Sequence, residues 1–499
     1  MSNIRVTYSG LIALVVGLIS VVTGIVFTLI VTRRLSPEEF GIWSIIGSMI
    51  SYFLIAEPVI SFWSTRQIAR GEKVGKTSLI SSMSFSLGSI PIYLIFAYFV
   101  SNVTHSHLDS MILAAILLPV TFLSQTLAGI NISHKPHATS YGLLAFELLK
   151  IPVGLVLVYF LNLGVNGAII ATMIAYLAKI SVQVYFGKTR LKDKFNAMAI
   201  KRWIKLSWIP LYYNLAHVIW SLDVVLYSII VGSVKGVAYF SVSSTIAAII
   251  SHAGLISQAL YPKLLAKGNY DYAKENFTRL MYFAIPLLGI SVIFAKPALF
   301  ALNPVYADGS IIVVIMSFRS FFYVLTGVLY QMLLGIETID IEQNPKLSSL
   351  AKSNIFFVPT LTNIQSVLYI VGLVVTISVL NQSGTTELEL VKWWTVITIF
   401  LQAPFFIYAF ILVKKHVKFS FPYENTLKYI GSTIPFTAVF LLTSEFIINY
   451  HHSIYDFLPG VILELVICMG IYLTITYIID KKTRILFKSI MTEFTSNKP

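Results

Sequence analysis

The 499-residue sequence has a single cysteine, Cys468, set inside an apolar run. That excludes a disulfide framework and any cysteine-based metal site. Charge is scarce as well: 12% of residues are charged, 57% are hydrophobic and the mean hydropathy is +0.80. A soluble domain carries roughly twice that share of charge, so a soluble protein of this length is excluded. Acidic residues are the scarcer sign, with 22 Asp and Glu against 36 Lys and Arg, a net charge of +14. The bases fall between apolar runs and not along one amphipathic face. That points away from nucleic acid and toward a membrane protein with basic loops on one side. The Gly-Lys pairs lack the upstream glycine loop of a nucleotide-binding motif. His105/His107, His134/His137 and His451/His452 sit in polar loops with no Cys or Asp at metal-ligand spacing. No catalytic residue, metal or cofactor is expected.

What the chain has instead is long apolar runs. Leu11 to Val31 is uncharged and rich in Val, Ile and Leu, and about 21 residues at 1.5 Å each span the roughly 30 Å hydrocarbon core. It ends at Arg33-Arg34, and Ser36-Pro37-Glu38-Glu39 then has the form of a capping box with proline at the first helical position. Fourteen such runs are expected as helices: 8–31, 40–62, 78–100, 110–131, 141–162, 165–186, 204–231, 236–262, 278–299, 310–334, 354–380, 391–413, 427–449 and 457–479. An N-terminal basic residue, Arg5, precedes the first run, which is too long for a signal peptide and lacks a clear cleavage site, so it is read as a retained helix.

The connections give the orientation. With the N-terminus inside, 28 of the 36 Lys and Arg fall on the cytoplasmic side and five on the outer side. That bias places both termini in the cytoplasm. Trp203, Trp208, Trp393 and Trp394 open spans 7 and 12, where an aromatic belt is expected. Prolines inside spans (Pro91, Pro119, Pro152, Pro210, Pro286, Pro359, Pro404, Pro435) imply kinks, which a bundle tolerates. The basic connection Lys188 to Lys205 divides spans 1–6 from 7–12. Across it Gly24–Val31 with Gly41-Ile-Trp43-Ser44 is faintly echoed by Asp223–Ile230 with Val237-Ala-Tyr239-Phe-Ser241. A parallel repeat follows, with two six-helix lobes able to face a cavity between them. The expected divisions are an N-lobe over 1–190, a C-lobe over 191–425, and helices 13 and 14 with a basic tail over 426–499.

The stretch VTRRLSPEEFGIW (Val31 to Trp43) resembles the first outer turn of the polysaccharide flippases in the multidrug/oligosaccharidyl-lipid/polysaccharide (MOP) exporter superfamily. Arg66-Gln-Ile-Ala-Arg70 is similar to the arginine-bearing turn after their second helix. Ser221 to Gly232 with Gly236-Val-Ala-Tyr239 is similar to their seventh and eighth helices. The acidic segment Gly335 to Lys352 departs from the pattern, being longer than that turn should be. Helices 13 and 14 exceed a twelve-helix core, as they do in lipid II flippases of the superfamily. The resemblance implies an all-α protein of the plasma membrane that moves a polyprenyl-(pyro)phosphate-linked oligosaccharide to the outer leaflet. It implies no covalent chemistry; directionality then needs another source, either a proton or sodium ion as coupling partner or the membrane potential.

Charges inside spans nominate the residues, because each costs roughly 2.5–3.5 kcal/mol at mid-depth. Arg319 lies about nine residues into span 10, roughly 13 Å deep, and suits a phosphate because its planar fork donates two parallel hydrogen bonds; an ion pair between helices is the alternative. Lys150 sits one turn from Glu147 on the same face, either as a local pair or as a phosphate ligand with Glu147 free to protonate. Lys179 is a further candidate ligand, or snorkels to the interface. Arg33 and Arg34 are candidates for the outer rim, or form a self-neutralised turn with Glu38 and Glu39. Asp223, Glu57 and Glu147 are candidate coupling carboxylates, with a structural pair as the alternative for Asp223 and water access for Glu57. Glu464 lies outside the repeat and has no role assigned. Two other functions compete: a multidrug and toxin extruder of the same superfamily, which needs unpaired acids, and a membrane glycan polymerase or ligase, which needs a longer outer loop than the roughly ten residues found here.

Overall fold

The computed structural model describes residues 6–69, 71–104, 107–135, 137–257, 270–336, 353–417, 420–451 and 453–485. Among these residues there is no strand. The helices are α1 (Val6–Arg34), α2 (Pro37–Phe53), α3 (Pro58–Ala69), α4 (Gly75–Thr104), α5 (Leu108–Ala114), α6 (Leu117–Ile132), α7 (His137–Gly154), α8 (Gly164–Leu191) and α9 (Ala197–Lys205). They continue as α10 (Trp208–Val231), α11 (Lys235–Ala247), α12 (Tyr270–Ile293), α13 (Ala295–Leu302), α14 (Ser310–Gly335), α15 (Asn354–Gln382), α16 (Glu387–His416), α17 (Tyr423–Ile447) and α18 (Ile454–Ile479). Among the described residues, thirteen helical stretches from Pro37 onward are long and apolar enough to cross a membrane. With α1, whose core is the uncharged run from Leu11 to Val31, each run expected from the sequence is mainly helical over its described residues. The segments 258–269, 337–352 and 486–499 lie outside the described residues, and with them the acidic departure after Gly335 and most of the basic tail.

The first turn forms as its residues dictate. Ser36 Oγ accepts from the Glu39 amide at 3.2 Å, and Glu39 Oε2 accepts from the Ser36 amide at 2.9 Å, with Pro37 at the first position. Gly41 is then required by contact, because a Cβ there would run into the Val234 carbonyl. Other elements depart from expectation. The second span is not one helix: a 3₁₀ turn at Leu54–Ala56 separates α2 from α3, since Pro58 has no amide to offer residue 54. Pro119 and Pro210 fall in the first turns of α6 and α10, where no hydrogen bond is lost, so they are starts and not kinks. The tryptophans split. Trp208 and Trp393 are exposed, but Trp203 and Trp394 are buried, Trp203 on α9 donating to Gln67 Oε1 at 2.8 Å and Trp394 stacked on Phe240 at 3.7 Å.

The chain divides into two compact units, Met1–Ala238 with Ser366–Leu390, and Tyr239–Gln365 with Val391–Pro499. In the first, α7 packs on α1 and α8, and α6 lies against α4 and α8. Its α4 reads inside out by the standards of water. Ser78, Ser82 and Ser86 are fully buried while Leu87, Ile92 and Ile95 are exposed. Hydrocarbon makes this sensible: leucine gains nothing by leaving lipid, whereas small hydroxyl residues let helices approach closely. In the second unit α12 packs on α14 and α17, and α17 on α18, around a core that includes Phe277, Leu329, Phe436 and Phe457.

Candidate functional site

The break between α2 and α3 puts Glu57 at the bottom of an open cleft of about 530 Å³ in the first unit. Its side chain is 1% exposed. Thr126 Oγ1 donates to one carboxylate oxygen and Ser61 Oγ to the other, each at 2.9 Å. Among the described residues no cation is in ion-pair contact with it. Ser61 and Thr65 of α3, Gln125 of α6 and Asn214 of α10 add polar groups to the lining, and Arg66 stands at the mouth over the Phe62 ring, 4.6 Å away. Gly129 makes the approach of α6 to α3 feasible, since a Cβ would come within 2.8 Å of Thr65 Oγ1. The cleft therefore joins a buried acid, two amides, an aromatic face and an exposed guanidinium. Sequence reasoning found Glu57 but missed Gln125 and Asn214. The stripe of Glu57, Ser61 and Thr65 at four-residue spacing was the available signal.

A second cluster forms deeper in the same unit. Lys150 Nζ lies 2.8 Å from Glu147 Oε2, the one-turn pair the sequence allows. Glu147 also accepts from Ser20 Oγ at 2.8 Å and Thr23 Oγ1 at 2.7 Å, both on α1. The lysine ammonium sits 4.9 Å from the Phe146 ring centre and 5.3 Å from that of Phe27. Both partners are buried. Lys179 on α8 is half-buried, its ammonium 5.6 Å from the Tyr176 ring, and that ring packs on Phe146. Three of the nominated residues thus occupy one aromatic-lined region, a favourable setting for desolvated ammonium groups.

The other candidates are placed apart. Asp223 is buried on α10, where Tyr369 Oη donates to Oδ2 at 2.6 Å and the Val224 amide to Oδ1 at 2.7 Å. Trp220 stacks on the same tyrosine at 4.0 Å. Arg34 lies over the Tyr159 ring at 3.7 Å, and Arg33 is half-buried beside it in the chain. The neutralised turn takes a different form from the one expected, since Glu38 pairs with Lys235 at 2.8 Å while Glu39 is used in the cap. Arg319 belongs to the second unit, half-buried on α14 with its guanidinium 5.2 Å from the Tyr323 ring centre. A buried amide relay ends on the same helix, at Thr326: Gln365 donates to Gln402 and Gln402 to Thr326, at 3.0 and 3.1 Å. Among the described residues no group of three His, Cys, Asp or Glu side chains could hold a metal.

Solved structures with this arrangement exist. The lipid II flippase MurJ in an inward closed conformation superposes with a TM-score of 0.67, covering 94% of this chain and 98% of its own at 13% identity. The chain has the fold of the MATE and MurJ transporters. An inward-facing MATE multidrug resistance transporter of the MOP superfamily matches at TM-score 0.59 and 12% identity, over 82% of this chain and 99% of that one. The MATE multidrug transporter DinF-BH matches at 0.56 and 16% identity, over 83% and 96%. No family model matches the sequence, and no curated protein does either. The MATE/MurJ fold is thus carried here by a sequence with little identity to its solved examples. In that fold Glu57, Glu147, Lys150, Lys179 and Asp223 lie in the first unit and Arg319 in the second.

Proposed function

We propose that this chain is a membrane transporter that carries a polyprenyl-(pyro)phosphate-linked oligosaccharide from the cytoplasmic to the outer leaflet by alternating access, for assembly of a cell-surface glycan. The observation that carries the reading is the extent of the fold likeness. MurJ accounts for 94% of this chain, whereas the two MATE structures account for 82% and 83%. The residues supply a chemistry for such cargo. Lys150, Lys179 and Arg319, with Arg33 and Arg34 toward the outer side, are cations suited to a phosphate. The amides and aromatic ring of the Glu57 cleft suit sugar hydroxyls and a sugar face. Binding alone gives no direction, so a proton or sodium ion taken up at Glu57, Glu147 or Asp223 is assigned the coupling. The 28-to-5 bias of bases supports cytoplasmic termini in the plasma membrane, and transport needs no bond-making residue.

Glu57 also favours a second reading. A buried carboxyl with hydroxyl donors and no cation in contact is what a multidrug extruder uses to hold an organic cation. Proteoliposomes separate the two. A fluorescent polyprenyl-pyrophosphate sugar is followed between leaflets, with an organic-cation dye in parallel vesicles. Movement of the lipid but not the dye is expected. Movement of the dye alone would overturn the flippase reading and make Glu57 the centre of the site.

A further inference from the structure

The second unit contains a recess unrelated to any residue discussed above. It holds about 220 Å³ between the ends of α12, α17 and α18, and its floor is Tyr282 and Tyr429, both almost fully buried. Thr278 and Ile485 form walls, and Arg279 and Lys482 stand exposed at the rim. These residues flank span ends. The apolar stretches run Ala273–Ile293, Tyr423–Ile447 and Ile454–Ile479, so Lys482 lies just beyond the last and Arg279 about two turns into the first. Such a position is at the boundary between hydrocarbon and water, on the side where the bases concentrate. That is the depth at which lipid phosphates lie.

The charges around the recess are unevenly satisfied. Glu275 pairs with Arg279 at 2.6 Å and Glu424 with Lys428 at 2.5 Å. Asp480 accepts from Thr483 Oγ1 (2.8 Å), Tyr429 Oη (3.0 Å), Asn425 Nδ2 (3.2 Å) and the amides of Thr483 (3.1 Å) and Lys482 (3.3 Å). Burial alone would raise its pKa, but those donors outweigh burial and hold it below the usual carboxylate value. Among the described residues, each of these acids is thus occupied. Lys482 Nζ has only an amide oxygen, Asn425 Oδ1 at 3.2 Å, and no carboxylate among the described residues in ion-pair contact. An ammonium whose nearby acids are all engaged, at the rim of a tyrosine-floored recess at phosphate depth, selects an anion with an apolar continuation.

We propose that this recess binds the phosphate group of an anionic membrane phospholipid, with Lys482 as its principal cation and Arg279 as a second donor. Basic pockets between membrane helices on the cytoplasmic side recognise headgroups in this way. The recess, at about 220 Å³, is less than half the size of the Glu57 cleft, so the lipid is assigned as a resident and not as cargo.

The test uses the full chain in nanodiscs of phosphatidylcholine with graded phosphatidylglycerol, with bound lipid counted by native mass spectrometry. Lys482→Gln is compared with Lys414→Gln, which removes an exposed lysine of the same sign near the end of α16. Retention of phosphatidylglycerol should fall roughly fivefold in Lys482→Gln, the loss of one lysine at an anionic headgroup, and stay unchanged in Lys414→Gln. Equal retention by both variants, or equal retention of phosphatidylcholine by the unaltered protein, would overturn the proposal. So would displacement of the lipid by millimolar inorganic phosphate, which would make the recess a site for the free anion. Both substitutions are at exposed positions, and a melting temperature matching the unaltered protein confirms that each variant is folded.

Discussion

The Glu147–Lys150 pair gives the sharpest prediction, because its structural and functional roles respond oppositely to one pair of substitutions. Lys150→Met removes the cation 2.8 Å from a carboxylate that is 4% exposed, keeping most of the side-chain volume. Breaking a buried pair from one side costs about 3–5 kcal/mol, since the remaining charge is stranded. Here the Ser20 and Thr23 hydroxyls still donate to Glu147 and partly solvate the stranded charge, so the lower end of the range, about 3 kcal/mol, is expected. Adding Glu147→Gln removes the stranded charge while keeping an acceptor for those hydroxyls, so most of the loss should return. The assay is thermal melting in detergent of both single variants and the double, each paired with lipid transport in proteoliposomes. Stability should fall in Lys150→Met and recover in the double. Transport should be lost in Lys150→Met and stay lost in the double, because a phosphate needs the ammonium whether or not the pair exists. Recovery of transport in the double would refute the substrate role and leave Lys150 as scaffolding. An unchanged melting temperature in Lys150→Met would refute the burial argument itself.

Three further outcomes are expected. Arg319→Ala should abolish binding of a polyprenyl-pyrophosphate sugar while Arg319→Lys retains part of it, as measured by fluorescence quenching, because lysine keeps the charge but loses the planar fork; full binding by the alanine variant would make Arg319 structural. Tyr369→Phe removes the 2.6 Å donor to buried Asp223 and should lower stability in thermal melts by about 1.5–3 kcal/mol, with Asp223→Asn adding little more in the Tyr369→Phe background if the hydroxyl is what stabilises that carboxylate. Gly41→Val drives a side chain into the Val234 carbonyl and should lower folded yield in membranes, read by detergent-extracted size-exclusion profile, while Gly47→Ala, at a glycine with nothing within 4 Å, should leave it unchanged.

The spans could be read because hydropathy is a local property. Twenty-one uncharged residues need only their own composition to become α1. The cap at Ser36–Glu39 is local too, with its partners three residues apart. The site was harder because its partners are distant along the chain. Thr126 reaches Glu57 across 69 residues and Tyr369 reaches Asp223 across 146. No periodicity marks such pairs. The broken second span shows a middle case: the Glu57-Pro58 dipeptide was visible, but whether proline kinks a helix or ends one depends on what surrounds it. Trp203 and Trp394 misled for a related reason. A belt position is a statement about depth, and sequence gives depth without saying which side of the helix faces lipid.

The serine face of α4 bears on how the first unit would move. Interlocked leucines act as gear teeth, and a helix held by them must climb over each tooth to shift. Ser78, Ser82 and Ser86 present a nearly smooth track, and the Ser78 and Ser86 hydroxyls donate to carbonyls of their own stretch of chain, Val74 and Met83, so those bonds travel with α4 as the contact slides. Displacement of α4 along its neighbours is therefore expected to be a glide with low ridges, and its exposed Leu87, Ile92 and Ile95 move through fluid chains that resist little. A leucine set at position 82 would act as a peg in that track. Disulfide trapping between α4 and α6 would then report one register where the serine chain allows several.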